Sequence, residues 1–354
     1  MDARKPSIVA VVLLFLLVGA PFTADLKHRY ISQALQGNIA EIADELIGLD
    51  TAELTDEERE LVESFADRFG PDGTLAPAET QWPFVNDIVE TYREYWKDVL
   101  FHEYSEEELE AKIVSRVTAV LSAHGVEWAD SIGALAAVAG EFEKRGVKAL
   151  TGRTLPHFDL LAWASHTPVD YQVELSEKSV AVRVYFMSDF VSHGWSHYAT
   201  FGAAYPGGWA DDTALYCMSD DYDRTSEKFK VSYLQHEGRH FADYQLFPQL
   251  QQADLEYRAK LTELIFADTT LVDLLEKFSR NAARKSSSPH ALASDELIRR
   301  LSAAFFDEER VTESERWRTV EAERIHRAAT HLLEESTREL TAAGADTVRG
   351  LISP

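Results

Sequence analysis

The stretch "SYLQHEGRHFADY", residues 232–244, decides how the rest of the chain is read. It sets His236, Glu237 and His240 in an H-E-x-x-H spacing. The apolar periodicity around it predicts one helix that begins near Phe229 and ends before Pro248. Four residues at about 100° each bring the two imidazoles to within about 40° of one another, one above the other. Glu237 then stands about 60° round the helix from His240, beside the point on which the two histidines converge.

Two imidazoles so placed can share one ion at the nitrogen–zinc distance of about 2.0–2.1 Å. Glu237 is not needed as a ligand. A carboxylate beside the ion position suits a general base acting on water that the metal activates. A catalytic site of this kind wants a third protein ligand and one open position. The only cysteine, Cys217, lies in the apolar run "ALYCM" and reads as a small core residue. With one cysteine there is neither an intrachain disulfide nor a multi-cysteine metal site. Glu256, in "DLEYRAKLTEL" sixteen residues after His240, is the best-placed third ligand, with Asp254, Glu263 and Asp243 as alternatives. Pro248 forces a turn that lets the helix carrying Glu256 fold back on the motif helix.

Length and charge bound the rest. The chain has 354 residues, enough for one large domain or two ordinary ones. Hydrophobic residues make up 45%, ample for a packed core. The formal net charge of −25 makes a surface that repels phosphate backbones, so nucleic acid is not an expected partner. Residues 1–24 form a separate segment. Arg4 and Lys5 precede an unbroken apolar run from Ile8 to Ala20. That run is shorter than the roughly 20 residues of a bilayer span and matches the core of an export signal. Ala24 suits the position before a cut, but Phe22 and Pro21 do not. Either a cleaved signal or an anchor over residues 8–22 follows, with the protein periplasmic or extracellular in both cases.

Residues 25–150 read as a helical N-terminal region. Thr55 with Glu58, and Ser105 with Glu108, are capping boxes that open two of its helices. The character changes near residue 150. "VDYQVEL" and "SVAVRVYFM" predict two strands joined at "SEK", and "ALYCMS" a third. The segment "SDFVSHGWSHYATFGAAYPGGWADDT" between them reads as loop, and "KSSSPHALAS" as a flexible break among later helices. The fold class expected is mostly helical α+β.

At this point the chain resembles the gluzincin metallopeptidases. In that group the motif helix is followed by a helix bearing a glutamate ligand in an E-x-x-A pattern, which Glu256 and Ala259 match. The strand–loop–strand–helix order before His236 is also similar. The resemblance covers roughly residues 165–280. It implies a zincin-like domain with a small sheet over residues 151–354, zinc held by His236, His240 and Glu256, and hydrolysis of a peptide or protein substrate with Glu237 as base. Some gluzincins carry an aspartate four residues after the ligand glutamate, supporting a histidine. Lys260 stands there, and Asp243 is the residue placed to take over that support. Leu246, where a metzincin would need its third ligand, excludes that class.

Other residues carry weaker signals. His193 and His197 are candidates for the cleft wall, and His326 or His331 for stabilising an oxyanion. Tyr244 and Tyr257 read as packing residues. "PGGWADD" offers a glycine-rich edge for close backbone approach. The rival expectation is a non-catalytic exported binding protein whose metal site is structural or vestigial.

Overall fold

A computed structural model describes residues 26–49, 54–70, 73, 77–219, 222–282 and 288–352. The fold is mixed α/β and mostly helical, with one five-stranded sheet. The apolar run over residues 8–22 lies outside the described residues. Among the described residues, no helix is long and apolar enough to cross a membrane.

The first compact unit takes in residues up to His166 together with Met187–Gly207. Its helices are α1 (Leu26–Ala34), α2 (Ala40–Gly48), α3 (Asp56–Phe69), α4 (Pro83–Val99), α5 (Glu106–Ala123) and α6 (Ser131–Glu143). Both capping boxes are formed: Thr55 and Ser105 accept from the backbone of Glu58 and Glu108, whose side chains reach back. The unit is built around α4, which buries Phe84, Val85, Ile88, Val89, Tyr92, Tyr95, Trp96 and Val99. Their three-and-four spacing puts them on one face, where they meet the apolar faces of the other helices in one core. The indole of Trp96 donates to the Phe158 carbonyl at 2.9 Å, which ties α4 to the sheet.

The sheet begins with β1 (Lys148–Thr154), which pairs antiparallel with β2 (His157–Glu174). A turn at residues 175–178 leads to β3 (Ser179–His193), and the strand order is completed by β5 (Leu215–Met218) and the edge strand β4 (Gly208–Ala210). The strands expected at residues 169–175 and 179–187 are therefore the turn-proximal parts of a much longer hairpin. Along β3, Val180, Val182, Val184 and Phe186 are buried, as the alternation predicts. The segment after residue 187 is more ordered than its loop-like composition suggests. β3 runs on to His193, a short helix α7 (Trp195–Ala199) follows, and β4 closes the sheet.

The junction of β3 and α7 rests on a buried carboxylate. Asp159 accepts from the Trp195 and Leu160 amides at 2.7 and 2.9 Å. Burial raises its pKa to about 6. Gly194 packs directly on it, at a φ of 89° and ψ of 177° that only glycine adopts readily.

The second unit comprises Thr167–Phe186 and the chain from Gly208 onward. A short helix α8 (Glu227–Phe229) passes through a π-helical turn, Lys230–Gln235, into α9 (His236–Leu246). Then come α10 (Gln252–Phe266), α11 (Leu271–Ala282), α12 (Pro289–Phe306), α13 (Ser314–Trp317) and α14 (Ala322–Gly344). α10 packs against α9, α12 and α14, and every residue from Ala253 to Leu264 is buried. The break expected at residues 285–294 lies partly, over 285–287, outside the described residues. Its described part is helical from Pro289, with Ser288 capping the Ala291 amide and proline at the first helical position.

Gly194→Ala is expected to destabilise the protein by about 1–3 kcal/mol from backbone strain. The new Cβ would also meet Asp159 Oδ1 at 2.6 Å. Urea unfolding followed by circular dichroism measures the loss.

Candidate metal centre

The motif helix is held at three points by the β2–β3 hairpin and the π-turn. First, Phe229 packs its ring on Phe186 and Tyr171 of the hairpin and stacks on Tyr233 within the π-turn, with centroids 5.5–6.0 Å apart. Second, Gly238, the first variable position of the motif, lies under β2. A Cβ there would meet Val173 Cγ1 at 2.8 Å, so the strand approaches the helix only because that residue has no side chain. Third, Arg239, 1% exposed, forks onto both oxygens of Glu177 in the hairpin turn at 2.7 Å each. Burial disfavours the Glu177 carboxylate, but the Arg239 hydrogen bonds and charge outweigh it and bring its pKa down to about 2. A π-turn, Lys230–Gln235, stands immediately before the motif, a kind of irregularity common at functional sites.

The structure brings His236, His240 and Glu256 together, with one ligand atom from each lying within 4.8 Å of the others. His236 Nε2 and His240 Nε2 are 3.1 Å apart. Glu256 Oε1 lies 3.4 Å from His240 Nε2, and Oε2 lies 3.8 Å from His236 Nε2. An ion held tetrahedrally at about 2.0–2.1 Å requires ligand atoms about 3.3–3.4 Å apart, so separations of 3.1–3.8 Å bracket what such an ion needs, with small side-chain adjustment closing the set on it. All three are buried.

The protonation pattern follows from what surrounds them. Glu263 accepts from His236 Nδ1 at 2.7 Å. Burial disfavours the Glu263 carboxylate, but His236 holds its pKa below the usual range, so it is an acceptor. The proton of His236 therefore sits on Nδ1, and Nε2 presents its lone pair to the cluster. Burial lowers the His236 pKa despite Glu263, which keeps the ring neutral. For His240, burial is outweighed by Glu256, and its pKa rises. Burial also works against Glu256, but His290 and Lys260 hold it well below the usual carboxylate range.

Glu237 differs from the rest. It is 1% exposed, its Oε2 has no hydrogen-bond partner among the described residues, and burial pushes its pKa up to about 8. It stands beside the ligand cluster without joining it, as the angle round the helix predicts.

The alternative third ligands are all engaged elsewhere. Asp254 accepts from the Leu351 and Ile352 amides at 3.0 and 3.2 Å. Glu263 orients His236. Asp243 receives the Arg258 fork at 2.7 and 2.9 Å and Arg239 at 3.4 Å. Asp243 thus supports two arginines, and the support of a histidine comes from Glu263 on α10. Sequence reasoning missed that role, and it missed His290, which sits 2.8 Å from Glu256 Oε2. The start of α12 at Pro289, with its serine cap, was the signal that would have placed His290 on an ordered helix.

The remaining candidates have ordinary structural partners. His193 ends β3 and stacks on His197 of α7, 4.6 Å away in the first unit. Burial lowers the His197 pKa to about 4. His326 Nε2 bonds the Ala267 carbonyl at 2.9 Å, and His331 is exposed. Tyr257 is core, and Tyr244 stacks on His240 with centroids 6.3 Å apart. In "PGGWADD", Gly208 serves packing: a Cβ there would meet the Tyr233 ring at 2.5 Å. Comparison with protein families, curated proteins and solved structures returns no match to this chain.

Removing the Asp243 carboxylate leaves the buried Arg258 guanidinium without its charged partner. Asp243→Ala is expected to destabilise by about 3–5 kcal/mol, read by urea unfolding. Glu177→Gln tests the hairpin clamp. The depressed pKa means that Glu177 contributes stability above its ordinary value near 4.5 and loses it as pH falls toward about 2. The variant should therefore be less stable than the parent at pH 7, by about 1 kcal/mol or less given the half-exposed carboxylate. The difference should vanish near pH 2. Equal stabilities at pH 7 would remove the clamp.

Proposed function

We propose that the chain is a zinc-dependent peptidase of the gluzincin type, with His236, His240 and Glu256 as metal ligands and Glu237 as general base. The observation that carries this reading is the Glu237 carboxylate. It is buried beside the three-ligand cluster with one oxygen unpartnered. A buried carboxylate without a full set of partners is costly, and a purely structural metal site has no use for one. The glutamate on α10, the sheet preceding α9 and the edge strand β4 packed against α9 support a zincin-like second unit.

Zinc held by His236, His240 and Glu256 would supply Lewis acidity, polarising a carbonyl and acidifying water. The residues do the rest. Glu237, which ionises more readily beside a dication, takes one proton from the attacking water on its free oxygen. It returns that proton to the amine as the C–N bond breaks and the new C–O bond completes the carboxyl product. His236 is kept in the ligating tautomer by Glu263. The apolar N-terminal run supports a site of action outside the cytoplasm, with residues 8–22 as signal or anchor.

One observation favours a second reading, an exported binding protein with a structural metal. His236, Glu237, His240 and Glu256 are all at 1% exposure or less. Metal analysis with a broad peptide library separates the two. The peptidase reading expects about one zinc per chain and hydrolysis of some peptides. Glu237→Gln should keep the zinc and lose about 10²–10⁴-fold in rate. His236→Ala should lose metal and activity together. Unchanged hydrolysis by Glu237→Gln overturns the role of Glu237. A zinc-loaded parent that cleaves nothing favours the binding protein.

A further inference from the structure

Glu256 is not symmetrically placed. Lys260 Nζ donates to its Oε2 at 2.8 Å, and His290 Nδ1 lies 2.8 Å from the same oxygen. Lys260, one helical turn beyond Glu256, is 4% exposed and reaches Glu256 from within α10. His290 comes from the first turn of α12 and is 24% exposed. A carboxylate oxygen has two lone pairs in its plane: Lys260 donates to one, and a His290 ring that carries its proton on Nδ1, 3.4 Å from the Lys260 ammonium, donates to the other. Oε1 has neither donor and lies 3.4 Å from His240 Nε2, the shorter of the two approaches to the imidazoles, with Oε2 at 3.8 Å from His236 Nε2.

We propose that Lys260 and His290 are positioning residues that saturate Oε2 of Glu256 and so restrict the glutamate to binding metal through Oε1 alone. This inference rests on the metal-site reading above. It also gives Lys260 a role where an aspartate was expected from the gluzincin resemblance. A carboxylate free to chelate through both oxygens would fill a coordination position with protein. A carboxylate held to one oxygen leaves that position for water or substrate, which is what distinguishes a catalytic site from a closed one. The ammonium of Lys260 also withdraws charge from the ligand, leaving the ion more strongly electrophilic. The two donors act through Glu256 and need not touch a substrate.

Cobalt(II) is the probe, because its visible absorption weakens several-fold when a four-coordinate site gains a ligand. The full-length protein is stripped of metal, titrated with cobalt(II), and its visible spectrum recorded per bound ion. The parent should take up about one ion with the intense band of a four-coordinate site. The double variant Lys260→Met/His290→Leu should bind cobalt with a several-fold weaker band, as Glu256 begins to chelate. His290→Asn, which keeps an N–H near the position of Nδ1, should retain the parent spectrum, whereas His290→Leu should move toward the double variant. Far-UV circular dichroism confirms folding in each case. A folded double variant with the parent's spectrum overturns the proposal and leaves the metal site standing. If the double variant no longer binds cobalt, His290→Leu decides by the same criterion. A parent that takes up no cobalt overturns the metal-site reading itself, and this proposal with it.

Discussion

A helix enclosed on all sides can carry charge only where each charge meets a partner, and α10 carries a great deal. Asp254, Glu256, Arg258, Lys260, Thr262 and Glu263 are all buried on it. An enclosed helix is ordinarily apolar around its circumference. Here the polar side chains find partners: the C-terminal backbone for Asp254, α9 for Arg258, Thr262 and Glu263, α12 for Glu256, and, within α10 itself, Lys260 for Glu256. Because an unpaired buried charge is so unfavourable, these pairings fix the register of α10 against its neighbours more tightly than apolar packing alone. The ligand geometry follows from that register.

The β2–β3 hairpin does for α9 what those pairs do for α10. An aromatic cluster, a glycine contact and an arginine fork set the depth, spacing and rotation of the motif helix in turn. Only with both helices fixed do the imidazole nitrogens and the glutamate oxygens come together. Such preorganisation is what the proposed metal site requires. It also explains why the variable positions of the motif are not free. Gly238 lets β2 approach, and Arg239 joins the hairpin turn to Asp243 and Thr262.

Local signals in the sequence transferred well to the structure. Capping boxes at Thr55 and Ser105, the alternation of Val180, Val182, Val184 and Phe186, and the helix ending before Pro248 all depend on neighbours within a few residues. The failures share one cause. "SDFVSHGWSHYATFG" looks like loop because its glycine and histidines lack a simple period. Its order comes from Asp159, more than thirty residues earlier, holding the Trp195 amide. "KSSSPHALAS" reads as a break because serines and proline suggest flexibility, yet in Ser288 and Pro289 the same residues are a cap and a helix start.

The sequence alone determined which atoms were on offer: two imidazoles one turn apart, a carboxylate beside them, and a glutamate on the next helix. Spacing along a helix is a matter of covalent geometry, so those angles were readable without a fold. Tertiary structure decided how each group is used. Glu263 became the partner of His236, Asp243 was drawn to Arg258, and His290 was brought thirty-four residues along the chain to Glu256. Those assignments depend on which lone pairs and protons are already engaged when the helices close. Long-range packing settles that, and no local pattern encodes it.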